Sequence, residues 1–239
     1  MEWRDEGALI SVRPYGESAA IIEVLTARHG RHLGVVRGGA TRRMAGILQP
    51  GAQLALTWTA RLDDQMGTFK AEPIHARAAL LADRAALDAL NAICALTHLA
   101  LPERDPHPAF YAKTVTLLDL LEQNGPWQMA YLLWEASLLE EMGFALDLTS
   151  CAVSGTTQDL AFVSPRTGRA VSRLAAGDWA PRLLPLPRAL ILHDGTAPEV
   201  AAGLHLTGHF LARALPDRPL PEARTRLINQ LARDKSVAD

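Results

Sequence analysis

The 239-residue sequence predicts an α+β fold with more than one domain. In the first eighty residues, apolar and polar side chains alternate with a period of two, and near residue 80 the pattern changes to that of amphipathic helices. A short segment rich in turn residues then interrupts the helices. We therefore predict a β-barrel domain over residues 1–79, a helical domain over 80–148 and 178–239, and an inserted hairpin over 149–177.

Five strand-like segments in the first domain suit a closed barrel of the OB type. They cover residues 9–13, 19–25, 33–37, 53–59 and 67–76, with turns at Pro14-Tyr15-Gly16, His29-Gly30 and Asp63-Asp64. Leu54, Leu56 and Trp58 share one face of the fourth strand, so we expect that face to be buried. Proline lacks an N–H group, so Pro73 must lie at an edge or a bulge of the last strand.

Helical spacing predicts the elements that follow. The first helix begins after residue 80, and a second, over 108–123, ends at Asn124-Gly125-Pro126 and buries Phe110, Thr114, Leu117, Leu118 and Leu121. The third begins at Pro126 and stops near Gly143, and we expect it to bury Met129, Leu132, Leu133 and Ala136. Two further helices are predicted over 198–215 and 220–233, and we expect residues 236–239 to be frayed.

A run of positive charge over residues 28–50 is the strongest functional signal. It contains five arginines and no acidic residue: Arg28, Arg31, Arg37, Arg42 and Arg43. Gly38 and Gly39 in its middle permit unusual φ angles and close approach of the backbone to a ligand. The run therefore indicates contact with a polyanion, and an ordinary solvated surface is the alternative.

The net charge of −2 conceals segments of different charge. Residues 1–80 carry +2, residues 81–150 carry −7, and residues 151–239 carry +3. Because an acidic segment repels nucleic acid, a polyanion should meet the two ends of the sequence and not its centre.

Several classes of protein are disfavoured by the motifs. The Gly38-Gly39 segment lacks the Gly-Lys-Ser/Thr ending of a phosphate-binding loop, and no Gly-x-Ser-x-Gly sequence positions a nucleophile. His205 and His209 stand one helical turn apart without a third metal ligand, so they are expected to be partly exposed helix residues. We therefore predict no catalytic residues and no enzyme activity. Neither a signal peptide nor an apolar run of ~20 residues is evident, which favours the cytoplasm and no membrane partner.

Cys151 opens the turn-rich hairpin, which has the size of a small zinc-binding module. A structural zinc needs four ligands, usually in Cys-x2-Cys pairs, whereas Ser154 stands three residues after Cys151. We therefore expect packing of Val153, Leu160, Phe162 and Val171 to hold the hairpin.

Aromatic side chains are scarce in the first domain, where only Trp3, Tyr15, Trp58 and Phe69 could stack on bases. We expect Trp58 to belong to the core. The basic run contains no aromatic residue, so it should contact phosphates and not read sequence. Five phosphate contacts would give a slope of up to about −3.5 in a plot of log affinity against log salt for single strands.

Several segments resemble the bacterial recombination mediator family RecO in its alphaproteobacterial form, and the resemblance spans the whole chain. They are MEWRDEGALISVRPYGESAAIIEVLTARHG, LGVVRGGATRRMAGILQPGAQLAL, residues 140–144 with Leu148, 151–155, and 162–172. The resemblance implies an N-terminal OB fold, a helical domain and an inserted zinc-finger-like hairpin. Zinc-binding members have four cysteines, but Ser154, Ser172 and Ala175 stand at three of those positions here. The hairpin has thus lost its zinc ligands, and we expect no metal or other cofactor.

The resemblance also implies a function in DNA repair and recombination. Proteins of this family bind single- and double-stranded DNA, anneal complementary strands, and act with RecR to load RecA onto strands coated by single-strand-binding protein, so a nucleoid-associated location follows. It assigns DNA contact to Arg37, Arg42 and Arg43, and less directly to Arg28 and Arg31. Candidates for binding the acidic C-terminal tail of single-strand-binding protein are Arg213, Arg218, Arg224 and Arg226.

Two other interpretations remain open. The chain could be an adaptor that bridges RecR and single-strand-binding protein with little affinity of its own for DNA. A metal-dependent enzyme is the more distant alternative.

Overall fold

The computed structural model describes residues 1–62, 64–123 and 125–233. The turns expected at Asp63 and Asn124 and the frayed end expected at 236–239 lie outside these residues. The chain forms two compact units, unit 1 (Met1–Gly125) and unit 2 (Pro126–Asp239), which are described separately. The three-part division into 1–79, 80–148 with 178–239, and 149–177 stays a prediction.

Unit 1 contains a closed barrel of five strands in the neighbour order β1-β2-β3-β5-β4. The strands are β1 (Glu2–Tyr15), β2 (Ala19–Thr26), β3 (Gly30–Val36), β4 (Gln53–Thr59) and β5 (Thr68–His75). β4 pairs with β1, so the order returns to its start. The contact between β3 and β5 is parallel, at Val35 and Thr68, and the other pairings are antiparallel. All five predicted strands are present.

The interior of the barrel confirms the alternation read from the fourth strand. Leu54, Leu56 and Trp58 are buried in the apolar cluster that fills the barrel. Pro73 also satisfies the condition set for it: Leu54 pairs with Pro73 while Gln53 pairs with His75, so a bulge interrupts the ladder beside the proline. The bulge means that the N–H group that Pro73 lacks is not missing from a regular run of β4–β5 hydrogen bonds.

Helices complete unit 1. They are α1 (Arg42–Ile47), α2 (Arg84–Ala100) and α3 (Pro108–Glu122), with a 3-10 turn at Ala78–Ala82 before α2. The Asp83 carboxylate caps α2 by accepting hydrogen bonds from the N–H groups of Ala85 (2.7 Å) and Ala86 (3.2 Å). The buried residues of α3 are the five that its periodicity predicts. α1 was not predicted.

The described part of unit 2 combines five helices with a small sheet in the order β7-β6-β8. The elements are α4 (Trp127–Glu141), β6 (Leu160–Val163), β7 (Ala170–Ser172), α5 (Arg173–Ala176), a 3-10 turn (Gly177–Arg182), β8 (Leu184–Pro185), α6 (Ala189–Leu192), α7 (Ala197–Ala214) and α8 (Glu222–Arg233). The α+β class is thus confirmed in both units.

The buried side of α4 differs from the prediction. Leu132 is buried, but Met129, Leu133 and Ala136 are only partly buried. Tyr131, Trp134 and Glu135 are buried instead. The reason is that α7 packs closely on this helix: a Cβ atom added to Gly203 would lie 2.5 Å from a Leu132 methyl carbon. A helix enclosed from several directions shows no simple apolar stripe.

No helix in the described part of the chain combines the length and apolar character needed to cross a membrane.

Candidate nucleic-acid interface

The basic loop, residues 37–43, lies at the end of β3 and leads into α1. Arg37, Arg42 and Arg43 are all exposed. Among the described residues, none of the three forms an ion pair. Three guanidinium groups are therefore presented to solvent, and each can donate paired hydrogen bonds to phosphate.

Backbone hydrogen bonds fix the shape of the basic loop. The Gly39 N–H donates to the Val36 carbonyl (3.1 Å), and the Ala40 N–H donates to the Ser18 carbonyl (3.0 Å) in the turn between β1 and β2. Gly38 has a φ of +68°, which confirms the need for glycine there. Gly39 serves packing, since a Cβ atom would come within 2.8 Å of the Ala20 Cβ. The loop is a defined part of the barrel end.

α1 holds two of the arginines against the barrel. Met44 and Ile47 pack on the barrel core, and Leu48, which follows the helix, is buried in it. Arg42 and Arg43 occupy the first turn of the helix and remain exposed. The short helix thus attaches the charges to the barrel through its apolar residues.

The structure separates Arg28 from the basic loop. Arg28 precedes β3 and the loop follows it, so the seven residues of β3 lie between them, a distance of roughly 20 Å. The Arg28 guanidinium also donates to the Arg4 carbonyl (2.6 Å) and forms an ion pair with Asp5 (3.3 Å). Arg28 is exposed, but it belongs to the opposite end of the barrel.

Arg31 is buried, and its side chain connects elements within unit 1. Its guanidinium forms an ion pair with the buried carboxylate of Glu23, and its Nε atom donates to the Leu101 carbonyl (2.9 Å). His98 Nδ1 lies 2.8 Å from the other Glu23 carboxylate oxygen. These bonds join the barrel to α2 and to the residue that follows it. Arg31 therefore does not enter the surface that we propose for DNA.

Tyr15 is a candidate contact that the sequence interpretation did not select. It is 55% exposed at the end of β1 and pairs with Ala19. Ala20 pairs with Val36, so Arg37 lies one position beyond that pair, at the same end of the barrel as Tyr15. The exposed Arg13 also lies near the end of β1. The sequence offered Tyr15 as one of four aromatic residues that could stack on bases, but Pro14-Tyr15-Gly16 was interpreted as a turn. Alternation continued past Arg13 would have placed Tyr15 at the end of the strand.

The four arginines proposed for partner binding fall into two groups. Arg213, Arg218 and Arg226 are exposed, and Arg213 donates to the carbonyl of Arg166 (3.1 Å) and to that of Pro165. Arg224 is buried, and its Nε atom lies 2.8 Å from a carboxylate oxygen of Glu135 in α4. Arg224 therefore attaches α8 to α4 and is not available to a partner.

Comparison with known proteins places both parts of the chain in one family. A family model described as Recombination protein O N terminal matches residues 1–77, and one described as Recombination protein O C terminal matches residues 81–223. The chain belongs to the RecO family of DNA repair proteins. The resemblance read from the sequence is confirmed.

Relatives within the RecO family match nearly the full chain, and each is named DNA repair protein RecO. A protein from Cereibacter sphaeroides is 66% identical over 237 residues, which cover 98% of this chain and 99% of the relative. One from Ruegeria sp. is 56% identical, with coverage of 98% and 99%. One from Roseobacter denitrificans is 55% identical, with the same coverage.

The hairpin of this RecO-family chain is closed around Cys151. The buried sulfur accepts hydrogen bonds from the N–H groups of Ser172 (3.3 Å) and Ser154 (3.5 Å), and Val171 and Ala176 pack beside it. Hydrogen bonds from Ser154, and next from Ser172, lower the pKa of the Cys151 thiol to about 6. Packing of Leu160, Phe162 and Val171 is confirmed, whereas the prediction for Val153 was wrong because its side chain is exposed.

Metal ligands are not grouped anywhere in residues 1–62, 64–123 and 125–233: no three His, Cys, Asp or Glu side chains are placed to share an ion. His205 is exposed and His209 is partly buried, as their helical spacing predicts. His209 Nε2 lies 3.4 Å from the Pro165 carbonyl oxygen. His209 therefore takes part in the packing of α7 against the hairpin, whereas His205 lies at the surface.

Proposed function

We propose that this RecO-family chain is a DNA-binding mediator of recombination that binds single- and double-stranded DNA and anneals complementary strands. The observation that carries this proposal is that Arg37, Arg42 and Arg43 are exposed at one end of the barrel and form no ion pair with the residues that the structure describes. Fixed positive charge at a rigid surface attracts phosphates and releases their counterions.

The barrel supports the proposal by its form. Five strands in the order β1-β2-β3-β5-β4 suit the OB fold, which in other proteins binds oligonucleotides on its surface and loops. We infer that the barrel is an OB fold and that the basic loop, with Tyr15 beside it, receives the strand.

Annealing follows from contacts of this kind. Two complementary strands repel each other through their phosphates, and guanidinium groups bound to those phosphates reduce the repulsion. Contacts to the backbone leave the base edges free to pair. The chain itself need not break or form a covalent bond, so we propose that it is not an enzyme and requires no cofactor.

The partners proposed for the chain follow from its family. With RecR, it would promote loading of RecA onto strands coated by single-strand-binding protein, in the cytoplasm and at the nucleoid. The exposed residues Arg213, Arg218 and Arg226 remain candidates for contact with the acidic tail of single-strand-binding protein.

Charge reversal of the basic loop tests the proposed function. Arg42→Glu/Arg43→Glu should weaken binding to single- and double-stranded DNA and slow annealing, because two phosphate contacts become repulsive. Arg84→Glu/Arg188→Glu is the matched control, since it changes two exposed arginines and gives the same net charge. Fluorescence anisotropy and an annealing assay on strands coated with single-strand-binding protein measure the effect. Equal affinities for the two variants would show that the loop does not contact DNA.

An adaptor is the second candidate function, and exposed apolar residues in unit 2 favour it. Leu174 is 93% exposed and Trp179 is 63% exposed, and the Arg182 guanidinium lies 5.0 Å from the centre of the Trp179 ring. Apolar side chains with adjacent positive charge suit an acidic peptide that also carries apolar residues. Pull-down of RecR and single-strand-binding protein after nuclease treatment separates the candidates. Full recruitment together with negligible affinity for DNA would favour the adaptor.

A further inference from the structure

A cluster of aromatic rings lies at the end of the barrel opposite the basic loop. Trp3 in β1 pairs with Trp58 in β4, and their rings are nearly parallel with centres 5.8 Å apart. The imidazole of His29, in the turn before β3, stacks on Trp3 with the ring centres 4.0 Å apart and 12° between the planes. His32 and Phe69 lie beside the rings, with centres 5.2 Å and 5.6 Å from that of Trp3.

This cluster lines a cleft of about 440 Å³, which we call the aromatic cleft. Its lining residues are Met1, Glu2, Trp3, Arg28, His29, His32, Trp58 and Arg104. Trp58 and His32 are buried, whereas Trp3 and His29 are partly exposed. The volume lies within the range of about 300–1,000 Å³ that is usual for small-ligand sites. Aromatic surface is thus available in a concave space, and not only within the core.

Charge around the aromatic cleft selects the kind of ligand. The Arg28 side chain is 67% exposed, and the Arg104 guanidinium lies 6.0 Å from the centre of the Trp58 ring. Glu2 lines the same cleft, and Asp5 is paired with Arg28. Two guanidinium groups disfavour a cationic ligand, and the stacked rings favour a planar one. A nucleotide offers both a planar base and a phosphate.

The protonation of His29 suits stacking. Burial, which is the main cause, and the nearby Arg28 lower the pKa of the imidazole, although Asp5 acts in the opposite direction. The ring is therefore uncharged at neutral pH and offers a planar face similar to that of a base.

We propose that the aromatic cleft binds a nucleotide of single-stranded nucleic acid, with its base stacked on the Trp3–His29 pair and its phosphate near Arg28. This inference rests on the proposed function, because it assumes that a strand reaches the barrel. It adds a contact at the other end of β3 from the basic loop, so a strand that contacts both would run along the barrel. Bases would then contribute to binding in addition to the backbone.

Paired DNA ligands test the proposal on the full chain. A labelled oligothymidylate and an abasic strand of equal length carry the same phosphates, but only the first carries bases. His29→Ala should weaken binding of oligothymidylate by about fivefold or more and leave the abasic strand unchanged, because stacking on an aromatic side chain is lost. His29→Phe keeps a planar ring and should retain most of the affinity. Thermal unfolding of each variant checks the fold.

The basic-loop variant Arg42→Glu/Arg43→Glu separates this proposal from the proposed function. It should weaken binding of both the oligothymidylate and the abasic strand. If the loop assignment is wrong, this variant binds both strands normally. If only the aromatic cleft is wrong, this variant is still weakened, but His29→Ala does not distinguish the two strands. Deoxyadenosine monophosphate should displace oligothymidylate from the unchanged protein, and it should do so less effectively from His29→Ala. That result would support the aromatic cleft as a site that also binds a free nucleotide. The proposal is overturned if His29→Ala leaves the affinity for both strands unchanged, or if it lowers the affinities for oligothymidylate and for the abasic strand equally.

Discussion

The buried ion pair between Glu135 and Arg224 offers a direct test of why one arginine of unit 2 is unavailable to partners. Arg224 Nε lies 2.8 Å from Oε1 of Glu135, and Arg224 Nη2 lies 3.0 Å from Oε2. Thr207 donates its hydroxyl to the same carboxylate at 2.6 Å. Glu135 is fully buried, so its charge depends on these donors. Arg224→Met removes the cation and leaves the buried carboxylate without an opposite charge, with the Thr207 hydroxyl still donating to it.

The expected cost follows from this geometry. Breaking one side of a buried ion pair costs about 3–5 kcal/mol, because the remaining charge is uncompensated. The double variant Glu135→Leu/Arg224→Met leaves no buried charge, and it should be destabilised much less than Arg224→Met alone. A double-mutant cycle should therefore give a coupling energy of about 2 kcal/mol or more.

Urea unfolding measures these free energies through circular dichroism and through tryptophan fluorescence, since the buried Trp134 directly precedes Glu135 in α4. Arg226→Met is the matched control, because Arg226 is exposed on the same helix and should change stability by about 0.5 kcal/mol or less. If Arg224→Met is as stable as Arg226→Met, the pair does not hold unit 2 together. Arg224 would then return to the candidates for partner binding.

Two further predictions concern DNA affinity and the hairpin. The three exposed arginines of the basic loop should contribute about −2.1 to the slope of log affinity against log salt for single strands, and a phosphate at Arg28 would bring the slope to about −2.8. Arg37→Ala should reduce the magnitude of the slope by about 0.7, and an unchanged slope would mean that Arg37 does not contact phosphate. The lowered pKa of Cys151, about 6 against an ordinary value of 9.0, means that the unfolded chain binds more protons between these values. The free energy of unfolding should therefore rise from pH 6 to 9, and this contribution should be absent below pH 6. Cys151→Ser should abolish the rise, which is measured as the unfolding temperature at each pH. If Cys151→Ser leaves the pH profile unchanged, the assignment to Cys151 is refuted.

Local periodicity explains which parts of the fold could be predicted. All five strands, the buried face of β4 and the five buried residues of α3 follow from side-chain patterns of two or 3.6 residues. A simple period of this kind arises when a strand or helix buries one face against one neighbouring surface. The prediction was wrong for most of α4, because a helix enclosed on several sides buries residues such as Trp134 and Glu135 outside any single stripe. α1 has only six residues, too few for a periodic signal.

The sequence by itself determined the class of fold, the positions of the strands, and the family to which the chain belongs. It also located the basic run, but it could not assign the individual arginines. Only the tertiary structure shows that Glu23 neutralises Arg31 and that Glu135, 89 residues away, neutralises Arg224. It also shows that β3 separates Arg28 from Arg37. The physical reason is that the availability of a charge depends on burial and on nearby opposite charge, and residues distant in sequence create both.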